Sequence, residues 1–411
     1  TYFRIYKDGG QVTSSGSAVE VSSPYTTADL DTIKFTQSAD VMYLVHPDHS
    51  PRVITRSSHT AWTMSEVDFR RGPMQDENTT ATTLVSNGRT GSVTITASAD
   101  LFASSDVGRI VKLHEGYAKI TAFTNATTVT AAVQENTEGR TELMPSYNVS
   151  TIAFAEGDPS STGLEHNDRI TDAASGFITQ GFAVNQLVTI TGASTSGNNV
   201  TSKLIVQVTA DTILFAPSVD LVNEAAGQSV TIVGVLTAST SWSLGAFSTT
   251  TGFPSCVSFF EERLVFANTA TAPQTLFFSV SGDFTDFADG TSSGSSLTYT
   301  IGSNQVNVIR YLVAARSLIV GTSGGEYAVS ASGSPEPLSP TNAQIKRQTT
   351  YGSADIQPVQ VGNVTLFVQR AKRKIRELIY NFDADSYTAP DMTILAEHIT
   401  ARARQYCVVR S

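Results

Sequence analysis

The feature that most constrains this chain is the shortness of the links between its β-type segments. Residues 306–313, 317–321 and 326–330 are three apolar, β-branched runs separated by only a few residues each. Links of that length make hairpins and meanders, the pattern of a propeller blade. The pattern recurs. Cys256-Val-Ser-Phe-Phe260 and Leu264-Val-Phe-Ala267 flank the turn Glu261-Glu262-Arg263, and 275–280 adds a further strand. Val364, Leu366 and Val368 alternate with Thr365, Phe367 and Gln369 before a basic turn, 370–374, leads into 375–380. Near the start, Lys7-Asp-Gly-Gly10 follows strand-like residues 2–6 as a tight hairpin signal. Residues 35–45 then enter a buried strand, and 46–51 turn into 53–56. Charged residues are only 16 %, which suits strands and polar turns better than long surface helices. Short helices are expected at 27–31 and after the connector 381–390, where Asp391 caps a helix carrying Met392, Ile394, Leu395, Glu397, His398 and Ile399.

A chain of 411 residues predicts two to four domains. Residues 1–91 read as the N-terminal part of a platform or propeller, 92–150 as one β module and 151–236 as a second. Residues 237–411 read as propeller-like blades with the connector and short helix. The two modules are related, because similar runs recur roughly 75 residues apart. Leu101-Phe102, 107–109, 110–113, 118–123 and 128–133 in the first are echoed by Phe177, Phe182, 187–191, 203–208 and 212–216 in the second. Strands this short suggest small sandwiches or barrels. The fold class is therefore mainly β: a propeller-like platform with inserted small β-sandwich or barrel modules and short helices.

Several chemistries lack support. There is no Gly-rich phosphate loop of the form GxxxxGK[ST] and no strand-bound GxGxxG. Gly321-Thr-Ser-Gly-Gly325 superficially matches a serine-protease nucleophile loop, but the preceding Asp and any His/Asp partners are missing, so a Gly-rich hairpin turn is expected. His46, Asp48 and His49 supply donors for half a metal site; no third ligand is visible, and a strand-end turn between prolines explains them. Asp283, Asp286 and Asp289 lack the glycine and terminal Glu of a calcium loop and read as a solvated acidic turn. Glu261 and Glu262 are adjacent, a poor arrangement for two carboxylates acting on one bond. No cofactor, metal or catalytic residue is expected. The two cysteines, Cys256 and Cys407, lie far apart and support no disulfide framework, which fits a reducing compartment. No apolar run approaches the ~20 residues of a membrane helix, since 311–320 is broken by Arg316. The net charge of −10 opposes a protein that grips nucleic acid through a basic surface. One local exception is the basic run Arg370, Lys372, Arg373, Lys374 and Arg376, which reads either as a solvated turn or subunit interface, or as a phosphate contact in a channel.

Particular blocks carry a family resemblance. They are F-x-Q-S-A-D-V-x-Y-L-V-H-P at 35–47 with Pro51-Arg52, Arg56, Trp62 and 69–73; S-x-S-G-D-F-x-x-F at 279–287; G-T-x-G-G-E-Y at 321–327; and Y-N-F-x-x-D-x-Y-x-A-x-D-x-T-x-L-A-E-H at 380–398. Together these resemble the tail nozzle (tail tubular protein B) family of short-tailed bacteriophages over about half the chain, most of 25–73 and 254–399. The family normally has more chain on both sides, so a fragment is one reading of ends that fall inside apparent strands.

The resemblance implies a structural virion protein without enzymatic activity, located in the virion tail and assembled in the host cytoplasm. It would form a homo-oligomeric ring, six subunits by family resemblance, beneath the tail adaptor protein. Tail fibres or other tail proteins would be neighbours, and double-stranded DNA would pass non-specifically through the lumen during genome ejection. Contact with the host cell surface is a further expectation. The alternative is a tail-associated propeller or lectin-like protein that binds or cleaves host surface polysaccharide; it would need an exposed cleft with aromatic platforms, and Trp62 and Trp242 are the only tryptophans.

Overall fold

The computed structural model describes residues 1–411 except 115, 138, 159, 162, 218, 303–305, 334–335, 384, 396–397 and 399–411. The chain divides into two compact units, one made of Thr1–Pro73 with Ala246–Ser411 and the other of Met74–Gly245.

The first unit contains four antiparallel meanders of four strands each, and in every one the strands pair in sequence order. Blade 1 is Lys34–Ser38, Val41–His46, His49–Arg56 and Trp62–Glu66. Blade 2 is Cys256–Phe260, Arg263–Ala267, Thr275–Phe278 and Leu297–Thr300; blade 3 is Ile309–Ala314, Leu318–Thr322, Gly325–Ala331 and Ala343–Thr349. Blade 4 is Val359–Val361, Val364–Val368, Ile375–Asn381 and Ser386–Thr388. This is the propeller-like platform. Alternate side chains point to opposite faces of a strand, so a sheet packed on both sides needs apolar residues throughout. Arg263–Ala267 and Leu318–Thr322 are accordingly buried at every position. One core joins Tyr43, Val45 and Val67 to Leu264, Phe266 and Phe277 between blades 1 and 2. A second joins Val265 and Phe278 to Ile309, Leu318 and Val329 between blades 2 and 3. A third joins Tyr311 and Ile319 to Phe367 and Leu378 between blades 3 and 4.

Tight turns permit the meanders. Asp8 and Gly9 have φ of 51° and 76°, and Glu261 and Glu262 have 45° and 58°. Two successive residues of left-handed backbone give a two-residue link the twist of its flanking strands. The Lys7–Gly10 hairpin signal is thus realised, while the second turn uses two glutamates where glycine would be less strained.

The second unit has two sheets. In the six-stranded sheet the order is Leu84–Ser86, Ser92–Ala97, Thr128–Gln134, Gly116–Asn125, Ile110–Leu113 and Trp242–Leu244. In the seven-stranded sheet it is Ser146–Val149, Val230–Gly234, Leu187–Thr191, Lys203–Val208, Thr212–Phe215, Arg169–Asp172 and Ile152–Ala155. Thr128–Gln134 and Val230–Gly234 bury every second residue, as expected when one face of a sheet wraps a core and the other meets water. The two cores are separate: Leu84, Ile95, Leu113, Ile120 and Val129 belong to one, Phe154, Phe177, Ile190, Ile205 and Phe215 to the other.

The structure moves the boundaries read from sequence. Leu84–Ser86 and Trp242–Leu244, assigned to 1–91 and 237–411, are edge strands of the first module. Ser146–Val149, assigned to 92–150, pairs with Val230–Gly234 in the second. Pairing between strands far apart in the chain defines these modules, and composition does not mark it. Short helices also fail in part. Residues 27–31 form turns, held by Thr26 donating its N–H and hydroxyl to Asp29 Oδ2 at 2.7 and 3.0 Å. Met392, Ile394 and Leu395 likewise lie in turns, with Asp391 accepting from the Thr393 N–H and hydroxyl. His398 is the single described helical residue there, and Glu397 and Ile399 lie outside the described residues.

Candidate functional site

The basic run occupies the hairpin between Val364–Val368 and Ile375–Asn381 in blade 4. Its five cations do not form one patch. Arg376 points inward and is buried, donating Nη1 to the Ala389 carbonyl at 2.6 Å and Nε to Gln369 Oε1 at 3.0 Å. Its guanidinium also lies 3.5 Å from the ring centroid of Tyr351, a cation–π contact strengthened by burial. Lys374 pairs with Asp391 at 2.9 Å. The Lys374 ammonium and the Thr393 N–H hold the Asp391 carboxyl at about 2, well below its ordinary range. Arg370 donates to the Ser323 carbonyl at 3.3 Å. Arg370 is exposed, as are Lys372 and Arg373, and Lys372 sits at the turn with φ of 55°. Arg376 lies inside the strand Ile375–Asn381 and faces the core, while 370–374 form the turn, and the sequence run conceals that division.

The other recognisable blocks become buried polar connections in the platform. Phe69–Pro73 meets Ser279–Phe287: Arg71 donates Nε to Asp286 Oδ1 at 2.8 Å and Nη2 to Oδ2, with both side chains over nine-tenths buried. Arg70 pairs with Asp283 at 2.6 Å. Backbone bonds from Phe287 N–H to Arg71 O (2.7 Å) and from Arg70 N–H to Thr285 O (3.1 Å) fix the register. Asp286 is therefore buried and Asp283 half-buried, and they answer two arginines more than 200 residues away; of the three aspartates only Asp289 is exposed as the acidic-turn reading expects. In the glycine-rich block, a Cβ on Gly321 would lie 2.2 Å from the Tyr311 ring and one on Gly325 2.5 Å from the Thr349 carbonyl oxygen. Close packing explains these glycines, as the hairpin reading expects. Burial pushes the Glu326 carboxyl up, against the opposing hydrogen bonds from Thr349 and Ser353 and from the Tyr351 and Gly352 N–H groups. Glu261 serves the fold too, accepting from the Leu338 N–H at 2.6 Å.

Lys34, in the first strand of blade 1, reaches Asp355 at 2.5 Å, the Arg310 carbonyl at 2.5 Å and Cys256 Sγ at 3.7 Å. It thereby touches the first strands of blades 2 and 3 and the segment entering blade 4. Gln357 adds a bond from Nε2 to the Phe35 carbonyl at 2.9 Å. Sequence spacing offered no sign of this buried lysine.

Two further places have shape. A groove of about 310 Å³ is lined by Glu261, Arg316, Lys346, Tyr380, Asp385 and Tyr387 among others. Tyr380 and Tyr387 meet edge to face at 5.4 Å, and the Arg316 guanidinium lies 4.7 Å from the Tyr380 centroid. Neither tryptophan takes part: Trp242 is buried and donates to the Thr82 carbonyl, and Trp62 donates to the His59 carbonyl. The second place gathers Asp29, His46 and His49, the first of which sequence reading did not connect to the histidines.

No family model and no curated protein matches this chain. Among solved structures, an auxiliary nutrient binding protein from Bacteroides ovatus is 10 % identical, with 78 % of this chain and 72 % of that one covered at a TM-score of 0.22. Its counterpart from Bacteroides thetaiotaomicron is 12 % identical, covering 74 % and 85 % at 0.21. The endosialidase of phage phi92 is 9 % identical, covering 91 % and 56 % at 0.24. These likenesses are weak.

Proposed function

We propose that the chain is a structural subunit of a phage tail nozzle, a ring-shaped conduit for genome ejection beneath the tail adaptor. The observation that supports the reading is where the resemblance falls. The blocks 69–73, 279–287 and 321–327 carry polar links across the platform, from Arg70 and Arg71 to Asp283 and Asp286 and from Glu326 to Ser353 in the segment entering blade 4. A wall that guides DNA under load needs rigid contacts between sheets, and hydrogen-bonded buried charges admit one geometry. The net charge of −10 suits a conduit that DNA leaves rather than adheres to. Exposed Lys372 and Arg373 would face a neighbouring subunit or passing phosphates. Negative-stain microscopy and sedimentation of the purified full chain test the proposal: ring particles are expected, and a monomer under every salt and concentration overturns it.

A tail-associated carbohydrate-binding protein is the second reading, favoured by the groove in which Tyr380, Tyr387 and Arg316 lie together. Aromatic faces flanked by charged donors are what a sugar ring needs. A glycan array probed with the wild type and Tyr380→Ala separates the two readings, since only this one expects a signal that the substitution removes.

A further inference from the structure

We infer that Asp29, His46 and His49 form a binding site for a divalent transition-metal ion of the zinc class, which would tie the segment before blade 1 to that blade's central hairpin. The sequence shows two histidines flanking a turn and no third ligand. Folding supplies it, because the turn at 26–29 brings the Asp29 carboxylate over the loop joining Val41–His46 to His49–Arg56.

The spacing suits an ion. Asp29 Oδ2 lies 3.2 Å from His49 Nε2, Asp29 Oδ1 lies 3.7 Å from His46 Nε2, and one donor atom from each residue falls within 4.8 Å of the others. Zinc–nitrogen and zinc–oxygen bonds of about 2.0–2.2 Å place tetrahedral ligands roughly 3.3–3.6 Å apart. Small movements therefore suffice. The carboxylate is already held by the Thr26 N–H and hydroxyl, an outer shell of the kind that orients metal ligands. Burial is graded: His46 is 3 % exposed, Asp29 17 % and His49 25 %, leaving an outer side for ion entry and a water in the fourth position. Tyr25 closes the inner side, its ring edge-on to His49 at 5.2 Å and tilted against His46 at 6.1 Å. The Tyr25 hydroxyl is buried without a hydrogen-bond partner.

Loading has a structural consequence. The Asp48 N–H donates to His46 Nδ1 at 3.1 Å, which leaves the ring proton of neutral His46 on Nε2. Coordination through Nε2 moves that proton to Nδ1, so the Asp48 peptide contact gives way as the ion enters. Two imidazoles and one carboxylate favour zinc or cobalt over calcium or magnesium, which prefer all-oxygen shells.

The test is a Co²⁺ titration of the purified full chain, followed by visible absorption and displaced by Zn²⁺. One equivalent per chain is expected, with ligand-field bands that Zn²⁺ abolishes and a rise in thermal midpoint that a chelator reverses. Asp29→Asn, which keeps an oxygen for Thr26, and His49→Gln should each weaken uptake at least about tenfold. His59→Ala and His166→Ala should leave it unchanged. Uptake that survives both ligand substitutions, or that depends on His59 or His166, overturns the site, as does a wild type that takes up no Co²⁺. Circular dichroism of each variant separates lost ligation from lost folding. Should Asp29→Asn unfold, His49→Gln decides the matter, because that partly exposed ring lies outside the apolar core.

Discussion

The blades and the inserted modules are both built of short antiparallel strands, yet they solve burial differently. Blade cores lie between sheets, and the contacts between blades include buried cations and one buried pair: Lys34 with the half-exposed Asp355, Arg71 with Asp286, and Arg263 donating to the Leu338 carbonyl. In the modules each sheet wraps an apolar core of its own; a buried ion pair occurs there too, Arg109 with Asp106 at 3.0 Å, but it joins residues three apart in the chain, and other carboxylates tie loops. Asp172 accepts from Tyr147, Thr151, and the Ala174 and Gly176 N–H groups. Glu224 accepts from Ser194, Asn198 and the Thr195 N–H. Packing one sheet on another leaves translation and rotation to be fixed, whereas a sheet that wraps its own core has its register set by the strand ladder. Buried ions are poor stabilisers but fix geometry at the cost of fragility when one partner is lost.

That contrast can be broken. The largest effect should come from Asp286→Ala, which strands the buried Arg71 guanidinium: about 3–5 kcal/mol lost in denaturant unfolding. A loss under about 1 kcal/mol would mean the ion does not hold blades 1 and 2. Ile190→Ala, at a fully buried position of the second module, should cost about 2–4 kcal/mol by opening a cavity, and it should act on the transition of the 74–245 unit. If it equals Asp286→Ala in a parallel titration, the two kinds of core are equally fragile.

Glu224→Ala should cost less, about 1–3 kcal/mol, by unpairing the 194–198 loop. Burial alone would raise this carboxyl, but hydrogen bonds from the Ser194 and Asn198 side chains and two N–H groups outweigh it and hold it at about 2 against an ordinary 4.5. Because the folded value is depressed, its contribution is full above pH 4.5 and disappears as pH falls toward 2. Thermal melts across that window should fall more steeply for the wild type than for Glu224→Ala. The smallest effect belongs to Lys372→Ala at the exposed hairpin turn, within about 0.5 kcal/mol of wild type. A larger loss in the isolated chain would give the turn an internal role and remove Lys372 from the contact surface.

Much of the fold was legible. Periodicity locates Cys256–Phe260, Leu187–Thr191 and Lys203–Val208 to the residue, because alternation and turn chemistry are local. Residues 27–31 and 392–395 form turns where helix is expected, because Asp caps a turn as readily as a helix and only the packing of the next few residues distinguishes them. The candidate site was legible in part. The basic run is a hairpin turn as read, but Arg376 and Lys374 are spent on Tyr351, Ala389 and Asp391.

The sequence by itself determined the β class, the meander order and the tight turns, since each depends on residues within about ten positions of one another. Tertiary structure alone decided which charges are buried. Arg71 found Asp286, Lys34 found Asp355, and Asp29 joined His46 and His49. Such partners are chosen by how sheets stack in space, and no local pattern records a distance across 215 or 321 residues of chain.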